Sequence, residues 1–233
     1  MAKYDFQPVL FVSPVSALED NKLFDKAYSV VGEERKAKTD RYRFGKDKRL
    51  SLGAGVLLKY ALSYLGFSQK TDEIIYGENE KPYFKNNGIY FNLSHSGDYA
   101  VCAVSPCEIG CDIELIKPVK LNVAEKFFTN NEFKHILSLN TDEEKSDLFY
   151  RYWTLKESFM KATGLGMRLS LNSFEILLGD EISVKQSVDG GKYSFKEFDE
   201  ISGYKCAVCI SEYTDDIPLI ITDVKDILTG GKI

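Results

Sequence analysis

Apolar and polar positions alternate from Tyr4 to Ser13 well enough to predict a strand. From Glu19 to Val31 the period changes: Leu23, Phe24, Ala27, Val30 and Val31 recur at helical spacing. A polar stretch that also reads as helical follows. Lys48–Leu65 then predicts a strong amphipathic helix, with Leu52, Val56, Leu57, Tyr60, Ala61, Tyr64 and Leu65 on one face and Gly66 as its stop. Short strands are predicted at about 73–76, 82–84, 89–93 and 99–105, separated by the turn-rich NEKP and KNNG. Around Pro106 the pattern restarts. A strand over 109–116 leads to helical stretches at 121–128 and 130–139, a long helix over about 143–163, and strands at 173–178, 181–187, 192–198 and 204–213. A short strand and turn over 218–228 close the chain. Helices followed by an antiparallel meander thus occur twice. This predicts an α+β fold of two similar halves, 1–106 and 107–233, each a small antiparallel sheet packed with helices, without a repeat in the sequence itself.

Composition changes this picture little. Of 233 residues, 44% are hydrophobic and 28% charged, which suits a globular chain with ample core. No apolar run approaches the roughly 18–20 residues of a membrane span, and the mixed first 15 residues do not resemble a secretory leader. A cytoplasmic protein without membrane contact is expected. Five cysteines fit that compartment. Cys206 and Cys209 form a CxxC, but YKCAVCI reads as a strand. There a three-residue offset places the sulfurs on opposite faces, and no second pair completes a zinc site.

Charge is more informative. The net charge is −5, yet residues 35–49 hold eight basic residues and two acidic ones, leaving −11 for the rest. A basic island on an acidic chain points to a local polyanion site rather than to nucleic acid; a solvated helix face is the plainer alternative.

Three constellations carry chemistry. In IGCDIELI, Asp112 and Glu114 are two apart on a strand and point the same way. Paired carboxylates cost stability unless a cation intervenes, and an all-oxygen set suits Mg²⁺; an edge strand with a solvated polar face would also place them so. In FNLSHSG, Ser94 and His95 precede Gly97 in what reads as a strand-to-strand turn, a potential anion cradle or a turn capped by its own serines. In FYRYWTLKESFMKATGLG, Trp153, Glu157 and Lys161 recur at four-residue spacing on one helical face. Glu157 could add a third carboxylate to the metal and Lys161 a phosphate contact, although the two also make an ordinary i,i+4 ion pair. Trp153 reads as a packing anchor, and His135 as a helix-surface residue. Together the three sets fit a Mg²⁺-bound diphosphate with a further phosphate held remotely, which is suggestive of coenzyme A.

FNLSHSGDYAVCAVS, IGCDIE and WTLKESFMKATGLG, in this order and at these separations, resemble the Sfp-type 4′-phosphopantetheinyl transferases. EKPYF at 80–84 and GYKCAVC at 203–209 extend the resemblance over most of the chain. It implies a pseudo-dimer with the active site in the cleft between its halves, and transfer of the 4′-phosphopantetheine arm of coenzyme A to a serine of an acyl, peptidyl or aryl carrier protein. The metal would be Mg²⁺, held by Asp112, Glu114 and Glu157. Glu157 and Lys161 would be catalytic. Ser94, His95 and Lys81 would hold coenzyme A phosphates, and Arg49 the 3′-phosphate. The basic segment departs from the family pattern by one residue between Asp47 and Arg49, so Lys36 and Lys38 lie near the lysine positions expected there, not on them. Ser170 stands where a proline is common. The aromatic face of Asn122–Leu139, with Val123, Phe127, Phe128, Phe133 and Ile136, is a candidate carrier-docking surface or simply core. A monomer is expected, serving fatty-acid, polyketide or peptide-synthesis carriers. A Mg²⁺-dependent nucleotide diphosphate hydrolase and a non-catalytic coenzyme A or carrier-binding module are the alternatives.

Overall fold

The computed structural model describes residues 6–67, 74–77, 79, 81–85, 88–212 and 216–231. Parts of the predicted first strand (residues 4–5), of the strand at 73–76, and of the NEKP and KNNG turns lie outside these. The chain divides into two compact units. The first holds Met1–Gly77, Pro82–Pro106 and Ile217–Ile233; the second holds Glu78–Lys81 and Cys107–Asp216.

In the first unit, strand β1 (Val9–Pro14) lies inside a four-stranded sheet and is buried along most of its length. Helices α1 (Asn21–Val30), α2 (Glu33–Arg41) and α3 (Gly45–Tyr64) follow. Asp20 caps α1 by accepting from the amides of Lys22 and Leu23. The basic stretch is not one helix: α2 ends at Arg41, Tyr42 and Phe44 are extended, and α3 begins at Gly45. Nor is α3 amphipathic in its middle. Every residue from Leu50 to Leu58 is buried, while Tyr64 is exposed. Small residues let neighbouring segments close over the helix on more than one side: a Cβ on Gly53 would overlap Val15, and one on Gly55 would lie 2.8 Å from Cγ of Arg35. Thr39 and Ser51 share a buried hydroxyl–hydroxyl hydrogen bond between α2 and α3.

Strands β2 (Ile74–Tyr76) and β3 (Pro82–Phe84) form a small separate hairpin. β4 (Tyr90–Ser96) and β5 (Tyr99–Ser105) pair through a turn at Gly97, whose φ of 59° is the left-handed conformation glycine adopts freely. The sheet's remaining strand, β11 (Leu219–Ile221), comes from the far end of the chain and runs parallel to β1, giving the order β11-β1-β5-β4. A sheet of purely antiparallel strands within 1–106 is therefore corrected. Residues 217–231 belong with the first unit, and they continue into helix α7 (Val224–Thr229) where only a turn is predicted. Val224, Ile227 and Leu228 of α7 are buried in that unit's core, which draws the segment back.

The second unit opens with β6 (Ile109–Leu115) and continues through α4 (Leu121–Phe127), α5 (Asn130–Leu137) and α6 (Asp142–Thr163). Strands β7 (Glu175–Leu178) and β8 (Ile182–Lys185) form a hairpin. β9 (Tyr193–Phe198) and β10 (Tyr204–Ser211) complete an antiparallel sheet of order β6-β10-β9. α6 is nucleated by a reciprocal capping box between Thr141 and Glu144 and ends at Gly164, φ 72°. It packs against β6 and β10. Gly110 permits this approach: a Cβ there would overlap the carbonyl oxygen of Ser158 and the amide of Ala162. Trp153 stacks on Phe149 (centroids 5.6 Å, 25°) and meets Phe127 edge-on, as a packing anchor should. Cys206 and Cys209 are unpaired and buried, and burial pushes both thiols well up.

Candidate active site

β6 carries Asp112 and Glu114 two residues apart, on one side of the strand. Asp112 is 3% exposed, so a solvated edge-strand face does not describe it. Register places it opposite Ala207 and places Glu114 opposite Lys205. From α6, Lys161 donates to Oδ1 of Asp112 at 2.6 Å and to the Cys111 carbonyl at 3.2 Å. Burial by itself would lower the Lys161 pKa. Asp112, aided by Glu157, outweighs that and holds the ammonium above its ordinary value. Glu157, half-buried one turn before Lys161, is shifted the other way. Burial raises its pKa first, the Asp112 charge raises it further, and Lys161 opposes them. A buried carboxylate, a second carboxylate crowded against it and an ammonium clamped to the first thus meet where α6 crosses β6.

The three carboxylates are hard oxygen donors of the kind Mg²⁺ takes, and the repulsion between Asp112 and Glu157 is what a divalent cation relieves. The donor set fits. The side chains as they stand are arranged around Lys161: among the described residues no three acidic, histidine or cysteine groups are gathered at metal-ligating spacing.

Lys81 lies at the C-terminal end of the same helix, bonded to Glu108 Oε2 at 2.6 Å and to the Ala162 carbonyl at 3.0 Å, with Asn79 donating to the Gly164 carbonyl. The other predicted phosphate contacts belong to the first unit. Ser94 and His95 are not in a turn: they are within β4, opposite Val101 and Ala100, with the turn starting at Gly97. Their backbone is extended rather than folded into a tight turn of converging amides, and their side chains remain the candidates. Arg49 on α3 pairs with Glu19 at 3.1 Å. Lys36 and Lys38 are two apart on α2 and so diverge by about 200°. Lys36 turns to Glu33 at 2.6 Å and lies 5.7 Å from the Tyr28 ring centroid. Arg35, which the motifs do not single out, is three residues from Lys38 and shares its flank. It is partly buried, and burial lowers its pKa. His135 is exposed, as expected, but its Nδ1 is 2.8 Å from the Tyr152 hydroxyl, a pairing no local pattern announces.

A profile described as the 4′-phosphopantetheinyl transferase superfamily matches residues 108–209, and one described as 4′-phosphopantetheinyl transferase, N-terminal, matches 19–107. The chain is 34% identical over 204 residues to the 4′-phosphopantetheinyl transferase ffp of Bacillus subtilis, covering 84% of this chain and 90% of that one. It is 32% identical over 209 residues to 4′-phosphopantetheinyl transferase Sfp of Bacillus subtilis strain 168, covering 87% and 91%. With HetI, a 4′-phosphopantetheinyl transferase of a Nostoc species, it shares 35% over 167 residues, covering 68% and 69%. The chain belongs to the 4′-phosphopantetheinyl transferase superfamily.

Proposed function

We propose that this protein transfers the 4′-phosphopantetheine group of coenzyme A to a serine of an apo carrier protein, with release of adenosine 3′,5′-bisphosphate. The observation that supports the chemistry most directly is the cluster of Asp112, Glu157 and Lys161 where α6 crosses β6. Asp112, Glu114 and Glu157 would hold Mg²⁺, which when bound supplies positive charge against the diphosphate. The serine oxygen bonds to the β-phosphorus, and the bond from that phosphorus to the bridging oxygen breaks. The serine proton passes to Glu157, the carboxylate that α6 brings to Asp112 on β6. Lys161 turns its ammonium toward the phosphoryl oxygens as charge builds on them. Lys81, Ser94 and His95 are proposed to hold the coenzyme A phosphates, and Arg49, with one or other of the diverging Lys36 and Lys38 of α2, the 3′-phosphate.

Carrier proteins of the acyl, peptidyl or aryl type are the proposed partners, without nucleic acid or membrane. No helix among the described residues is long and apolar enough to cross a membrane, and a cytoplasmic monomer is proposed. Of the candidate docking face, Phe128 and Ile136 are core, whereas Val123, Phe127 and Phe133 pack against that core and are only partly buried; these three are proposed to meet the carrier.

Mass spectrometry of apo carriers incubated with coenzyme A, Mg²⁺ and the protein tests this. A carrier mass increased by one phosphopantetheine is expected. Cleavage of coenzyme A without any carrier would instead establish a diphosphate hydrolase, and tight coenzyme A binding with no change in carrier mass a binding module.

A further inference from the structure

Lys156 precedes Glu157 on α6 and points elsewhere, since consecutive helical residues diverge by about 100°. It is 0% exposed. Its ammonium has three donors, and all three are used: Glu132 Oε1 at 2.8 Å, the Leu171 carbonyl at 2.8 Å and the Phe174 carbonyl at 2.7 Å. The Phe174 ring centroid lies 4.2 Å away. Glu132, 1% exposed, is equally committed. Its Oε1 also accepts the Ile176 amide at the start of β7, and its Oε2 accepts the Thr129 amide in the capping box of α5. One ion pair thereby joins α5, α6, the turn at Leu171 and β7.

A buried ion pair is a poor device for stability alone, because apolar residues of similar volume often stabilise a core as well or better. What it adds is direction. Three acceptors converging on one nitrogen define both the rotation of α6 about its axis and its height along that axis. A methyl-lined pocket would tolerate either slipping by a fraction of an ångström.

We propose that Glu132 and Lys156 are positioning residues for the transfer step, fixing α6 so that Glu157 and Lys161 face Asp112 on β6. This role rests on the function proposed above. Neither residue touches the reacting atoms; both act through the neighbour they orient.

The test compares wild type with Glu132→Gln, Lys156→Arg and Lys156→Met, in steady-state transfer to an apo carrier and in thermal unfolding, with kinetics taken below each unfolding transition. Glu132→Gln keeps the size and an acceptor for Lys156 but removes the charge. Lys156→Arg keeps the charge but spreads its donors over a planar fork that cannot meet three acceptors at one point. In each variant that folds, kcat is expected to fall about 10- to 100-fold while KM for coenzyme A stays within about two-fold, as for a lost alignment rather than a lost ligand contact. A merely structural role predicts a lower Tm with wild-type kcat in the folded fraction. Wild-type kcat in Glu132→Gln and Lys156→Arg overturns the proposal, whether or not Lys156→Met folds. No transfer by the wild type to any carrier would overturn the functional reading itself, which is a distinct result.

Discussion

Replacing Gly110 by alanine tests the join between β6 and α6 on which the carboxylate cluster stands. The added Cβ runs into the backbone of α6: the Ser158 oxygen, the Ala162 nitrogen and, at 2.9 Å, the Lys161 carbonyl carbon. Real Cβ atoms keep at least 3.0 Å from such neighbours, and helix backbone cannot rotate aside as a side-chain tip can. Strand and helix must therefore separate by on the order of 1 Å, an overpacking strain of about 2–3 kcal/mol. For a chain of this length that lowers Tm by about 4–12 °C. The same separation acts on function, because Asp112 follows Gly110 by two residues while Glu157 and Lys161 sit on the displaced helix. A misplacement of about 1 Å is expected to cost roughly 100-fold in turnover. Urea unfolding and transfer kinetics on the same preparation read both effects. Gly190→Ala, with nothing within 4 Å of the added atom, is the control and should change stability by no more than about 0.5 kcal/mol. A Gly110→Ala protein with wild-type midpoint and wild-type turnover would refute the reasoning.

Glu157→Gln should abolish transfer and yet stabilise the metal-free protein near neutral pH. The folded state raises the Glu157 pKa above its ordinary 4.5, so it binds more protons than the unfolded state between those two values, and stability falls as pH rises through that window. The glutamine is blind to this. Its advantage in EDTA should be absent below the unfolded pKa and grow to a plateau above the folded one; a variant less stable than wild type at neutral pH contradicts the raised pKa. Arg49→Ala should weaken the response to coenzyme A but not to 3′-dephospho-coenzyme A, and equal losses with both would remove Arg49 from the 3′-phosphate. Lys161→Ala should lower kcat about 100- to 1,000-fold and destabilise the fold through the uncompensated Asp112, with both effects read by kinetics and thermal unfolding.

Local periodicity made most of the elements legible. α6 is predicted over 143–163 and found over Asp142–Thr163, and β5 is found at its predicted 99–105, because caps and apolar spacing act within a few residues. The motif residues Asp112, Glu157 and Lys161 were legible for the same reason: i,i+2 on a strand and i,i+4 on a helix are local geometry. The placement of Ser94 and His95 in a turn failed because Gly97 dominates the local pattern, whereas pairing with β5 keeps β4 extended through Ser96.

The sequence by itself determined most of the helices and strands, where the pattern restarts near Pro106, and which side chains share a face. Only the tertiary structure decided the partners of those faces. The return of β11 to lie parallel to β1, the Glu132–Lys156 clamp and the seating of α6 on Gly110 all join residues at least 24 positions apart. Such contacts form where buried area and satisfied hydrogen bonds outweigh the entropy of closing the intervening chain. No short-range pattern encodes that balance. Lys156 shows the difference most plainly: in the sequence it is one more charged residue on a helix, and in the fold it is a fully buried cation with every donor engaged.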